Sequence, residues 1–212
     1  MKRLFALFTL LAFCLTLPAT AFAAGTAGAR SAACALTAAP RAAAPEGQEL
    51  YVGKVQISDT GYWTTDDSGN VTAYTDGGTP ADKYIHYDAA TNTLTLHNAT
   101  IKTFNDQVNS GDSAIYVLNE SGDAALTIQL EGGNTIENVG RGIYVLAHNA
   151  STGDASLTIT GENGSSLIAS GFANQGIKVQ SNSGDATLTI ENAEVEAAAT
   201  GGARDGVRGQ AG

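Results

Sequence analysis

Cysteine is nearly absent from these 212 residues, with only Cys14 and Cys34 present. Cys14 lies in an apolar N-terminal stretch that the chain is expected to lose, so one thiol remains and no internal disulfide can form. Packing and backbone hydrogen bonds must therefore hold the fold. Proline is scarce (4) against 25 glycines, which excludes a collagen or Pro-rich disordered chain and suits a β-rich protein with many tight turns. Positive charge is short as well: 11 Lys and Arg face 21 Asp and Glu, for a net charge of -10. Such a chain has no electrostatic reason to bind nucleic acid or an anionic membrane. Its length allows one domain or a short repeat array, not two enzymes.

The one long hydrophobic run, Leu4 to Leu17, is too short to span a bilayer. Lys2 and Arg3 precede it and Ala21-Phe22-Ala23 follows with a small-x-small cleavage pattern, so residues 1–23 read as a secretory signal peptide. Phe13 before Cys14 argues against a lipoprotein signal, and no membrane insertion is expected after cleavage. The mature chain is expected to begin near Ala24, outside the cell or at its surface. Residues 24–49 are Ala-rich, broken by Gly and Pro and without an amphipathic face, which reads as a flexible linker.

A repeat organises the rest. Leu94-Thr95-Leu96, Leu126-Thr127-Ile128, Leu157-Thr158-Ile159 and Leu188-Thr189-Ile190 recur at spacings of 32, 31 and 31 residues, and Gly-Asp-Ala precedes the last three. A second series reads Ile115-Tyr116-Val117, Ile143-Tyr144-Val145 and Ile177-Lys178-Val179. The third, weaker series is Ala99-Thr100-Ile101, Asn134-Thr135-Ile136, Ser166-Leu167-Ile168 and Ala193-Glu194-Val195. Apolar and polar residues alternate within these pieces, and none shows a 3.6-residue period. A three-strand unit of about 31 residues cannot bury its apolar row alone, whereas stacked copies close a continuous core. The expected fold is all-β, a three-sided parallel β-helix over residues 93–200. Residues 50–92, rich in Tyr and Trp63, are expected to form an aromatic N-terminal cap and the first strands, and residues 201–212 an irregular, open-ended tail. A barrel or sandwich ranks below, because neither needs so long a regular period.

In such a solenoid, equivalent residues line up in files. Thr95, Thr127, Thr158 and Thr189 read as a surface file, and Asn98, Asn134, Asn163 and Asn192 as a corner ladder of side-chain amides. Tyr116, Tyr144 and Lys178 form a third file, in which two outward tyrosines offer a stacking surface to a sugar ring; covering the strand is the plainer role. Asp123, Asp154 and Asp185, with Asp112, are expected to make an acidic file whose mutual repulsion a calcium ion would relieve, unless each simply makes a solvated Asx turn. The residues give catalysis little footing. Arg141 is the only arginine between Leu50 and Thr200, and His86, His97 and His148 lack metal-ligand spacing.

The run from Tyr87 through Leu94-Thr95-Leu96-His97-Asn98-Ala99-Thr100-Ile101, with Leu50-Tyr51-Val52-Gly53 before it and Leu126 to Ile136 after it, resembles the secreted bacterial carbohydrate-binding domain-containing proteins. The resemblance covers about residues 50–200. It implies a right-handed parallel β-helix of pectate-lyase-like shape that binds plant polysaccharides such as cellulose and pectic acid, with calcium. The expectation is thus a non-enzymatic module binding plant-type or cell-surface polysaccharide; the alternative is a stalk or adhesin segment without its own ligand. Oligomeric state is not legible.

Overall fold

The structure, a computed structural model, describes residues 42–104, 112–138, 140–149, 151–172, 174–201 and 206–210. The expected signal peptide, Cys34, most of the expected linker and part of the expected tail lie outside them. The described residues form seventeen strands and no helix. In chain order, the first seven are β1 (Gln48–Val52), β2 (Val55–Ile57), β3 (Gly61–Thr65), β4 (Val71–Ala73), β5 (Tyr84–Asp88), β6 (Thr93–His97) and β7 (Thr100–Ile101). Three full turns follow. The first is β8 (Ser113–Asn119), β9 (Ala124–Glu131) and β10 (Gly133–Asn138), and the second β11 (Arg141–Ala147), β12 (Ala155–Gly161) and β13 (Ser166–Gly171). The third is β14 (Ile177–Ser181), β15 (Ala186–Glu191) and β16 (Glu194–Ala199), after which β17 (Val207–Gln210) starts another level.

Equivalent strands of successive turns pair in parallel and generate three sheets, ordered β17-β14-β11-β8-β1-β2, β16-β13-β10-β7 and β15-β12-β9-β6-β5-β3-β4. This is a β-solenoid of three turns, and Leu126, Leu157 and Leu188 sit side by side in it at the 31-residue spacing. Strands preceding β6 pair antiparallel, β1 with β2 and β8, and β3 with β4 and β5. The interior holds the inward half of each alternation: Ile128 and Ile159 in one sheet, Ile115 and Ile143 in the second, Ile136 and Leu167 in the third, all at most 1% exposed. Each such side chain contributes roughly 1.5–3 kcal/mol by leaving water. Ile190, in the file of Ile128 and Ile159, is 46% exposed.

The register departs from the expected alignment in two places. Thr93, not Thr95, pairs with Thr127, and Leu94 lies beside Ile128, so Thr95 leaves the threonine file. In the third sheet Gly133 pairs with Ser166 and Ser166 with Glu194, one residue out from the expected alignment. A one-residue slip exchanges the two faces of a strand. Leu167 therefore points inward, while Ile168 is 44% exposed.

The asparagines do not form one ladder. Asn98 and Asn192 adopt positive φ (47° and 52°) at the corners that end β6 and β15. Asn134 is buried in β10, where its Oδ1 accepts the Ala99 N–H at 2.9 Å. Asn163 is exposed in a turn.

Candidate functional site

Tyr116 and Tyr144 do line up on the side of their sheet away from the core. Their rings stack at 5.4 Å, and Tyr51 extends the row at 6.4 Å from Tyr116. Lys178 pairs with Tyr144 and places its Nζ 4.9 Å from the Tyr144 ring centre, with the Arg141 guanidinium at 4.7 Å. The expected open platform is nevertheless missing. Tyr116 is 0% and Tyr144 4% exposed, and with Leu118 and Leu146 they make a second apolar cluster. Ring faces stacked on each other or under a cation have none left for a sugar. Burial pushes the Tyr144 phenol up to about 12, with Tyr116 adding to the effect and Arg141 opposing it.

A similar pairing occupies the outer rings of the antiparallel strands. Trp63 and Tyr87 point inward, whereas Tyr62 stacks on His86 at 4.3 Å and Tyr84 on His97 at 4.6 Å. Glu131 Oε2 lies 3.0 Å from His97 Nδ1 and accepts the Tyr84 hydroxyl at 3.1 Å. Partial burial followed by the Glu131 charge pushes Tyr84 up to about 12. This cluster joins β5 and β6 to the end of β9.

Asp123, Asp154 and Asp185 come together as expected, one per turn, at the corner leading into β9, β12 and β15. Their arrangement follows from the Gly-Asp repeat. A Cβ at Gly153 would lie 2.5 Å from the Gly122 carbonyl oxygen, and one at Gly184 would lie 2.7 Å from that of Gly153, so only glycine lets successive corners approach. Asp123 Oδ1 then accepts the Asp154 N–H, and Asp154 Oδ1 the Asp185 N–H, both at 2.9 Å. Asp112 does not join them. It precedes β8, a whole strand away from Asp123.

Among the described residues no group of three or more His, Cys, Asp or Glu is placed to hold a metal ion. One oxygen of Asp123 and one of Asp154 already serve a backbone amide.

Beside the aspartate file runs a trough of about 540 Å³ on the outer face of the seven-stranded sheet. Its floor carries Thr127, Ser156, Thr158 and Thr187, its edge the three aspartates, and Ala42, Ala43 and Pro45 make a wall before β1. Thr91 and Asn92 close the upper end. Asn92 is fixed there by three contacts: its Nδ2 donates to the Ala125 carbonyl at 2.7 Å, and its Oδ1 accepts from Tyr87 and Gln48. Sequence reasoning missed Ser156, Thr187 and the wall. The signal for the first two is position: each stands two residues after a repeated aspartate. Chemically, the trough offers hydroxyl donors and acceptors with carboxylate acceptors, repeated at each turn. No protein-family model, curated protein or solved structure matches this chain.

Proposed function

We propose that this chain is a secreted, non-catalytic module that binds plant-type or cell-surface polysaccharide along the trough of the seven-stranded sheet. The observation that carries the reading is the repeated lining: hydroxyl and carboxylate groups recur turn after turn along an open channel, which suits a ligand that is itself a repeating chain of hydroxyl-bearing rings. The resemblance to carbohydrate-binding β-helical proteins points the same way. A binding role is favoured over hydrolysis because the three carboxylates stand side by side on one edge, whereas a glycosidase sets two across the scissile bond.

The test is retention of the folded, secreted chain on insoluble cellulose and pectin, with and without a chelator. Retention lost on replacing Ser156 and Thr187 by alanine supports the trough; dependence on the chelator brings calcium into the reading. A stalk without its own ligand is the second reading, favoured by the rung-to-rung bonds that occupy the aspartate corner. Failure of the folded protein to be retained on any glycan establishes it over the first.

A further inference from the structure

Asn163-Gly164 is the single Asn-Gly pair in the sequence. It forms the middle of a β-turn between β12 and β13, closed by the Ser165 N–H donating to the Glu162 carbonyl at 2.9 Å. Gly164 has a φ of 89°, in the range that the third residue of a type II turn requires. A Cβ there would meet nothing within 4 Å, so the turn is open on that side. Asn163 is exposed, and among the described residues neither its side chain, nor its carbonyl, nor the Gly164 N–H takes part in a hydrogen bond. The peptide plane joining the two residues can therefore rotate and bring the Gly164 nitrogen against Cγ of Asn163. Other asparagines are held. Asn182, which precedes the small Ser183, donates from Nδ2 to the His148 carbonyl at 3.2 Å and accepts at Oδ1 from Gln180, while the Ser183 N–H donates to Ser181 Oγ at 3.1 Å. At Asn98, Nδ2 donates to Asp82, and the following Ala99 N–H donates to Asn134.

We infer that Asn163 is a site of spontaneous modification, at which the backbone itself converts the side-chain amide to a carboxylate. The Gly164 amide nitrogen gives up its proton to water or hydroxide and attacks Cγ of Asn163. The new C–N bond closes a succinimide ring, the Cγ–Nδ2 bond breaks, and ammonia leaves after taking up a proton. Water then opens the ring and the nitrogen regains its hydrogen. Attack of water at Cγ gives aspartate, and attack at the main-chain carbonyl gives isoaspartate, in which the chain runs through the former side chain. Nothing is oxidised or reduced, and water is the only co-reactant. Glycine at 164 matters because a side chain there would crowd the attacking nitrogen. Either product adds a negative charge beside Glu131 and Glu162, which with His97 and Asn163 line a hollow of about 330 Å³. Isoaspartate also lengthens the main chain in the turn that leads into β13. The trough lies at the opposite end of β12, beside Asp154, and keeps its lining.

The test is to incubate the folded chain in mildly alkaline buffer, digest it at intervals and follow each asparagine-containing peptide by mass spectrometry, with isoaspartyl methyltransferase labelling as a second readout. The expected result is a gain of one mass unit at Asn163, at least about tenfold faster than at Asn182 or Asn98, whose hydrogen bonds must first break. The rate should rise with pH, because the attacking nitrogen must lose its proton, and the Asn163 peptide should accept the methyl label. In urea Asn182 should accelerate while Asn163 changes little, since the folded turn already leaves its groups unengaged. Asn163→Gln should remove the mass gain and the label from that peptide, with the circular dichroism of the parent. If Asn163 persists in the folded chain and is lost only in urea, the turn protects the pair and the inference is overturned. Equal rates at Asn163 and Asn182 in the folded chain overturn it as well, as does a label that survives in the Asn163→Gln peptide.

Discussion

Asp123 Oδ1 accepts the backbone N–H of Asp154 at 2.9 Å across 31 residues of intervening chain. The same bond is made one turn further on, from the Asp185 N–H to Asp154. Each aspartate thus anchors the amide of its successor, and the Gly-Asp repeat is first of all a device for setting the pitch of the corner. Asp154→Ala should cost about 1 kcal/mol in chemical denaturation, whereas Asp154→Asn should leave stability nearly unchanged. Equal losses in both variants would show that the negative charge, not the acceptor oxygen, is what the corner needs.

Tyr116 is fully buried between Tyr51 and Tyr144, so its removal is a structural injury before it is anything else. Tyr116→Ala is expected to destabilise by about 3–5 kcal/mol. A melt in which this variant matches the parent would mean that the rings are not packed as described.

Alkali provides a third handle. Tyr144 and Tyr84 are both pushed from 10.0 up to about 12, so between these values the folded chain keeps protons that the unfolded chain has released. Their contribution is intact below pH 10 and is lost as pH rises from about 10 to 12. Phenolate absorbance and circular dichroism should therefore change together in that window, and Tyr144→Phe should move the loss of structure to higher pH. Full ionisation near pH 10 with structure retained would contradict the burial of these phenols.

The third sheet supplies a sharp test of register. Leu167 points into the core and Ile168 out. Leu167→Ala should cost about 2–5 kcal/mol, while Ile168→Thr should stay within about 0.5 kcal/mol. The reverse order would restore the alignment expected from sequence.

The comparison between sequence and structure turns on such local details. The stacking of Leu126, Leu157 and Leu188 was legible because a Gly-Asp-Ala corner precedes each and the apolar alternation after it is unbroken. Around Asn134 the signal misleads, because a polar residue takes an interior position and its Oδ1 accepts the N–H of Ala99. The threonine file was misplaced at its first member because the passage from β6 to β9 is longer than the later repeats: Leu94 and its partner Ile128 are 34 residues apart. For the tyrosines, alternation identified the side of the sheet correctly and said nothing of how much solvent reaches it. The trough was illegible for another reason: one wall comes from residues before β1, brought alongside β9 and β12 only by the pairing of β1 with β8.

The exposure of Ile190 carries a dynamic consequence. Among the described residues, β6 and β9 have strand neighbours on both sides whereas β15 is hydrogen-bonded to β12 alone, and its inward Ile190 stands partly in water. Among the described residues, opening is therefore expected to begin at β15. Amide exchange should be fastest in β15 and β16, slower in β12 and β13, and slowest in β9, so the trough would lose its Asp185 end well before its Asp123 end.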